Sequence, residues 1–75
     1  MCLLKVYVVD EDASRKLVAR DVAYVSKEGE MIKLRNVEFE ETTLVNADIF
    51  SIDALSSILL LKKRGKNNIK DNNGL

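Results

Sequence analysis

The chain has 75 residues, with 12 Lys plus Arg balanced by 12 Asp plus Glu, a single cysteine and no histidine. This length predicts one small domain whose core is marginal by itself, so a homodimer is expected. The lone cysteine excludes an intramolecular disulfide and fits a reducing, cytoplasmic compartment, and the lack of histidine removes the commonest acid–base group.

The first predicted strand covers residues 3–9, where apolar side chains occupy both faces. A strand that is apolar on both faces predicts a central position in a sheet. The segment is interrupted by Lys5 and is too short to cross a bilayer, so neither a signal peptide nor a membrane span is expected. A polar turn at 10–14 and a short return strand at 16–19 follow, and Arg20 and Asp21 are predicted to break that strand.

The next pair of strands is predicted at 22–26 and 31–35. They flank a short connection in which Gly29 can adopt a positive φ, which is typical of a hairpin. Residue types alternate along the second strand, so Ile32 and Leu34 are expected to face the core.

The acidic run 38–41 predicts a loop in which Phe39 is anchored, followed by a strand at 42–45. Residues 47–53 contain no glycine or proline, and their apolar residues do not strictly alternate. That pattern favours a strand with a bulge or bend, with a helix as the weaker alternative. The four aromatic residues lie in or beside strand patterns, where core packing is the expected role.

The last predicted strand covers residues 56–62 and includes the run Ile58-Leu59-Leu60-Leu61. This run is apolar on both strand faces, and both must be covered. Two interpretations remain open: a subunit interface and a fully buried central strand. The sequence thus predicts an all-β domain over residues 1–64 and a flexible polar tail over 65–75.

Charge is unevenly distributed, because residues 1–61 hold seven basic and eleven acidic residues and residues 62–75 hold five and one. An acidic body makes nucleic-acid binding along the folded surface unexpected, since phosphate binding needs a clustered basic face. Only the basic tail could serve an Sm-like RNA-binding module, which is the alternative function. No aromatic residues interleave that tail to stack bases.

Catalytic motifs are absent: the sequence has no triad partner for its thiol, no phosphate-binding loop and no dinucleotide fingerprint. The protein is therefore predicted not to be an enzyme. Carboxylates cluster at 10–12 and 38–41, but neither cluster has a calcium-loop spacing, and solvated turns are the favoured interpretation.

Cys2 follows Met1 directly and is the one candidate metal ligand of the soft class. A free cysteine at the start of a strand can be simply a small apolar residue. An exposed terminal thiol is prone to oxidation, however, and its presence calls for a reason. The α-amine, first amide nitrogen and thiolate can close five-membered chelate rings, a donor set that suits square-planar Ni(II) or Cu(II) better than tetrahedral Zn(II).

The ligand count depends on whether Met1 is removed. If it is removed, Cys2 offers an amine and a thiolate, and two chains around a dyad give an N2S2 site. If it stays, the Met1 amine with the amide and thiolate of Cys2 gives three donors from one chain. Either form couples an exposed metal site to a dimer.

The chain resembles the CooT family of small nickel-binding proteins, whose members begin Met-Cys and continue into a Lys-Val strand, as MCLLKVYVV does. The similarity continues through KLVARDVAYV, KEGE, MIKLRN and DIFSIDALSSILLL, covering residues 1–62. The resemblance implies a homodimeric, SH3- or Sm-like β-barrel of about six to seven short antiparallel strands. It also implies nickel binding through Cys2, with a backbone nitrogen of Met1 or Cys2, and delivery to a nickel enzyme such as carbon monoxide dehydrogenase. The segment 36–41 departs from the family, which usually has a Phe-Gly pair there.

Overall fold

The computed structural model describes residues 3–64, a range that contains six strands and no helix. The strands are β1 (Leu4–Val9), β2 (Arg15–Glu28), β3 (Met31–Asn36), β4 (Glu41–Val45), β5 (Ala47–Asp53) and β6 (Ile58–Lys63). They form one sheet in the order β4-β3-β2-β1-β6-β5. The prediction of an all-β fold is confirmed.

Strand β1 lies in the middle of the sheet, as its two apolar faces predicted, and pairs with β2 on one side and β6 on the other. The β1–β6 pair is parallel, so the expectation of an entirely antiparallel sheet is wrong. The reason lies between β4 and β5, where the chain crosses from one edge of the sheet to the other instead of forming a hairpin. That crossing returns β6 alongside β1 in the same direction.

Strand β2 is long and bent, where the sequence predicted two separate strands. The predicted break coincides with Asp21, which adopts a φ of 56°. Register shifts occur on both sides of β2 near this point. In the β1–β2 pair the shift lies between Leu4 and Val6 of β1, and in the β2–β3 pair it lies between Val22 and Tyr24 of β2. Such bulges bend and twist a strand without ending it, so one half of β2 pairs with β1 and the other with β3.

The bend brings β3 over the inner face of β1 and β6, and the core fills the space between them. Its buried residues are Val6, Val8, Val22, Ile32, Leu34, Ala47, Leu59 and Leu61. Full burial of one such aliphatic side chain contributes about 1.5–3 kcal/mol. The predicted inward alternation of Ile32 and Leu34 is confirmed.

The edges of the sheet approach each other at a corner formed by Asn46, which has a φ of 57°. Its amide donates to the carbonyl oxygen of Glu30 at 2.8 Å, and its carbonyl oxygen accepts from the amide of Arg64 at 2.9 Å. Among the described strands, β4 and β5 do not pair with each other, so the ladder is open. The prediction of a closed barrel is not confirmed: the sheet is strongly curled but not closed.

Several local predictions have clear outcomes. The hairpin is present, with Gly29 at a φ of 60°. Residues 47–53 form a strand with a register shift between Ile49 and Ser51, as the broken alternation predicted, and not a helix. Phe39 is 81% exposed, so the anchoring predicted for it is wrong.

The apolar run of β6 is buried on one face only, so the fully buried strand of one interpretation is not observed and the subunit interface of the other stays a prediction. Leu59 and Leu61 are buried in the core, which accounts for one face. Ile58 and Leu60 point to the opposite face and are only partly covered. The second face is therefore available for a partner.

Two sets of predictions fall on residues outside the described range: the Met1 and Cys2 site, and the tail at 65–75. Within residues 3–64, no helix of the length and hydropathy needed to cross a membrane is present.

Candidate metal site and its surroundings

The candidate ligand Cys2, with the backbone nitrogen of Met1, lies just before the first described residue, Leu3. The structure describes the elements around the start of β1, to which this candidate site is tethered by the chain. Leu4 pairs with Val22 of β2, and Val22 in turn pairs with Asn36 at the end of β3. On the other side the amide of Lys5 donates to the carbonyl oxygen of Ser57 at 3.0 Å. The start of β1 thus lies in a row of neighbouring residues that runs across the strands, with residues 37–40 forming a loop at one end of the row and residues 54–57 a loop at the other.

The first of these loops, residues 37–40, is tightly hydrogen-bonded around Asn36. The side-chain oxygen of Asn36 accepts from the amides of Glu38 at 2.9 Å and Glu40 at 3.0 Å, and its side-chain nitrogen donates to a Glu40 carboxylate oxygen at 2.8 Å. The Phe39 amide donates to the Asn36 carbonyl at 3.0 Å. Phe39 consequently has a φ of 66° and presents its ring to solvent.

The second loop, residues 54–57, is closed by Asp53, whose carboxylate accepts from the amide of Ser56 at 3.1 Å. Ser57 adopts a φ of 59° as the chain turns into β6. At the tip of the loop Leu55 is 97% exposed. Large apolar side chains in solvent therefore flank the start of β1 on both sides.

Acidic side chains accompany these apolar ones. Asp21, Glu38, Glu40 and Asp53 form no ion pair with any other residue in the range 3–64, whereas most other acidic residues of β2 to β5 do. The amide of Val37 donates to the carbonyl oxygen of Asp21 at 3.2 Å, which places the bend of β2 directly beside the first loop. The nearest exposed basic residues are Lys5, which lies in the start of β1, and Arg20, which precedes Asp21. The surroundings of β1's start are therefore apolar and mainly acidic.

The acidic turn at 10–12 lies at the other end of β1. The Ser14 hydroxyl donates to Asp12 at 2.8 Å and the Ser14 amide donates to the same oxygen at 3.1 Å. These two hydrogen bonds stabilise the carboxylate and lower the pKa of Asp12. No group of three or more Cys, Asp and Glu side chains within residues 3–64 is placed to hold a metal ion.

Only the beginning of the basic C-terminal segment is described, and part of it is already occupied. Arg64 contacts Glu30 at 2.7 Å and Asp48 at 2.9 Å. The second contact is electrostatic, because the Nε–H of Arg64 does not point at the Asp48 oxygen. The RNA-binding alternative is not favoured.

The sequence singled out Cys2 as a candidate ligand, which stays a prediction, and could not place Phe39 and Leu55 beside the start of β1. A signal was present in Asn36, because an Asn before an acidic run predicts a side-chain-capped turn that projects the next residues outward.

Comparison with known proteins gives consistent results. The family model of the CO dehydrogenase accessory protein CooT matches residues 1–62. A crystal structure of a protein assigned as CooT from Carboxydothermus hydrogenoformans superposes with a TM-score of 0.74 at 19% identity, covering 84% of this chain and 98% of that one. At this identity the superposition establishes a shared fold. No curated protein matches the chain.

Proposed function

Because the chain belongs to the CooT family of CO dehydrogenase accessory proteins, we propose that it is a nickel-binding accessory protein rather than an enzyme. In this proposal each subunit of a cytoplasmic homodimer binds Ni(II) through Cys2 for delivery to a nickel enzyme such as carbon monoxide dehydrogenase. The observation that carries the proposal is a family match that begins at Met1 and so includes Cys2.

The donor chemistry supports nickel as the cargo. Thiolate sulfur with amine or amide nitrogen forms a strong-field set that favours square-planar d⁸ Ni(II). Cys2 carries the only thiol in a chain without histidine, so no other side chain offers a comparable soft or imidazole ligand. Consecutive Cα atoms are about 3.8 Å apart, so the Cα of Cys2 lies within about 8 Å of the Cα of Leu4 and its thiol within about 10 Å. The metal would therefore be held at the row between the two loops.

A homodimer is supported by the uncovered face of the sheet. Leu17, Tyr7, Leu60 and Ser51 are paired across β2, β1, β6 and β5, on the face opposite to the core. Lys62 lies two positions after Leu60 on β6 and so shares its face. The ring centroid of Phe50 is 5.5 Å from the Lys62 amine, which places Phe50 on this face as well. This stripe, which is apolar except for Ser51, spans four strands, about 14 Å at 4.8 Å per strand spacing. If two copies pack these stripes together with the dyad running past the start of β1, both thiols meet and one N2S2 site forms.

The test of the metal site is a titration with Ni(II) followed by thiolate-to-nickel charge-transfer absorption. One Ni(II) per two chains is expected for the wild type, and none with comparable affinity for Cys2→Ala. Met31→Leu is the matched control, since it removes another sulfur that is placed in β3. Tight, stoichiometric binding by Cys2→Ala would overturn the site.

The test of the interface is Leu60→Lys, analysed by sedimentation velocity. A lysine in the middle of the stripe places an unpaired charge in the interface, so the variant is expected to be monomeric. It should fold, because Leu60 faces away from the core. In the N2S2 arrangement the monomer loses tight nickel binding as well. A Leu60→Lys dimer indistinguishable from the wild type would exclude this face.

A further inference from the structure

We propose that the two loops flanking the start of β1 form a docking rim for the recipient nickel enzyme. The docking rim consists of Val37, Phe39 and Leu55 with the carboxylates of Asp21, Glu38, Glu40 and Asp53. It is inferred to bind a protein surface that combines an apolar pocket with surrounding Lys and Arg side chains. This inference rests on the proposed function, because the metal cargo is what makes the recipient enzyme the partner.

Phe39 is the centre of the proposal. Its ring is 81% exposed, which is unusual for an aromatic residue in a domain with only four of them. The hydrogen bonds around Asn36 hold the loop in place, so the ring is displayed on a rigid support. Aromatic side chains held in this way commonly dominate the binding energy of interfaces, because little conformational freedom is lost on binding.

The charge of the rim determines which partner fits. Four carboxylates without ion-pair partners in the described range accompany the exposed apolar side chains, against two exposed basic residues, Lys5 and Arg20, so the rim is acidic on balance. A second copy of the chain would bring acidic residues against acidic residues. A partner with basic residues around an apolar pocket gains both apolar burial and complementary charge, which raises the association rate and selects against other partners.

The position of the rim supports the nickel enzyme as that partner. Asn36 lies in the same row as Leu4, two strand spacings or about 10 Å away. Ser57 lies one strand spacing, or about 5 Å, away on the other side. A protein seated on the rim therefore lies beside the tethered thiol. A cavity of 230 Å³ opens next to the first loop and is lined in part by Arg20, Asn36 and Glu40, which gives a partner side chain room to insert.

The experiment measures binding of the full-length chain to purified, nickel-free carbon monoxide dehydrogenase by biolayer interferometry. Phe39→Ala is expected to weaken binding at least about tenfold, as for an interface hot spot. Glu38→Lys, whose side chain makes no hydrogen bond or ion pair within residues 3–64, is expected to weaken it about threefold and to reduce its salt dependence.

Two matched controls separate docking from general effects. Val37 and Val45 are 49% and 51% exposed, but they lie at opposite ends of the β3–β4 pair. Val37→Ser is expected to weaken binding, and Val45→Ser is expected to leave it unchanged. Glu11→Lys, in the turn at the far end of β1, controls for Glu38→Lys by making the same charge change away from the rim.

Folding and cargo are followed separately. Phe39→Gly removes the ring but suits the positive φ of residue 39, so it is expected to fold as well as Phe39→Ala or better and still fail to dock. Nickel titration of every rim and control variant should match the wild type, whereas Cys2→Ala should dock while losing nickel. The docking proposal is overturned if Phe39→Ala and Phe39→Gly bind like the wild type, or if the wild type itself shows no binding at about 100 µM. Nickel binding by Cys2→Ala would instead overturn the proposed function and leave the docking result intact.

Discussion

The strained backbone at Phe39 makes a quantitative prediction about stability. Its φ of 66° places a non-glycine residue in the left-handed region, which costs about 1–2 kcal/mol relative to glycine. Phe39→Ala keeps that cost and loses only the ring contacts. The ring is 81% exposed, so roughly 40 Å² of a surface of about 200 Å² is covered, equivalent to at most about 1 kcal/mol at 25 cal/mol/Å².

Phe39→Gly loses the same contacts but removes the strain. Against this, glycine gives the unfolded chain additional freedom worth about 0.4–1 kcal/mol. The backbone cost removed exceeds the unfolded-chain freedom gained, so Phe39→Gly is predicted to be more stable than Phe39→Ala by about 0.5–1 kcal/mol. In a regular strand the alanine variant would be the more stable of the two. In a domain of this size the midpoint of thermal unfolding should differ by about 3–6 °C.

Urea and thermal unfolding of the two variants at one protein concentration measure this difference, since a dimer's apparent stability depends on concentration. Val45 provides the control, because it is also exposed but lies in β4 and is not among the residues with positive φ. There the alanine variant should be more stable than the glycine variant by about 0.5–1 kcal/mol. A Phe39→Ala variant as stable as Phe39→Gly, or more so, would refute the reasoning.

Three further changes test the fold. Gly29→Ala should destabilise by about 1 kcal/mol in urea unfolding, because the φ of 60° disfavours a Cβ although no atom lies within 4 Å of it; a neutral effect would contradict this. Ile32→Ala removes a fully buried core side chain and should cost about 2–5 kcal/mol, against well under 1 kcal/mol for a surface substitution. Ser14→Ala should raise the pKa of Asp12 towards its ordinary value in an NMR titration. Because the pKa of Asp12 is lowered in the folded state, its carboxylate stabilises the fold at pH values above the ordinary carboxyl pKa. That stabilisation is lost as the pH falls through the lowered pKa, so the loss of stability at acid pH should be smaller in Ser14→Ala. An Asp12 titration unchanged by the substitution would contradict the assignment.

The regular parts of the fold could be predicted because local chemistry determines them. Alternation placed Ile32 and Leu34 in the core, Gly29 marked the hairpin, and the broken alternation of residues 47–53 indicated the irregular strand. Each of these features depends on side chains that are close in sequence. The Met1-Cys2 start likewise identified the family that the match over residues 1–62 establishes.

The remaining features depend on contacts between distant residues. The direction of β6 follows from the corner at Asn46, which joins Glu30 to Arg64 across the sheet, and nothing local to β6 encodes it. Asp21 was correctly located as an irregularity, but whether a bulge ends a strand or bends it depends on the partners on both sides. Phe39 was expected to be anchored because aromatic residues usually are, and the hydrogen bonds of Asn36 overrode that tendency.

The most direct test of the nickel assignment is native mass spectrometry of the wild type and Cys2→Ala, each with and without Ni(II). We expect a wild-type dimer that gains one Ni(II), and a Cys2→Ala dimer that gains none under the same conditions. The masses also show whether Met1 is retained, which decides between the N2S2 site and the three-donor site. A Cys2→Ala dimer that takes up one Ni(II) like the wild type would contradict the central claim.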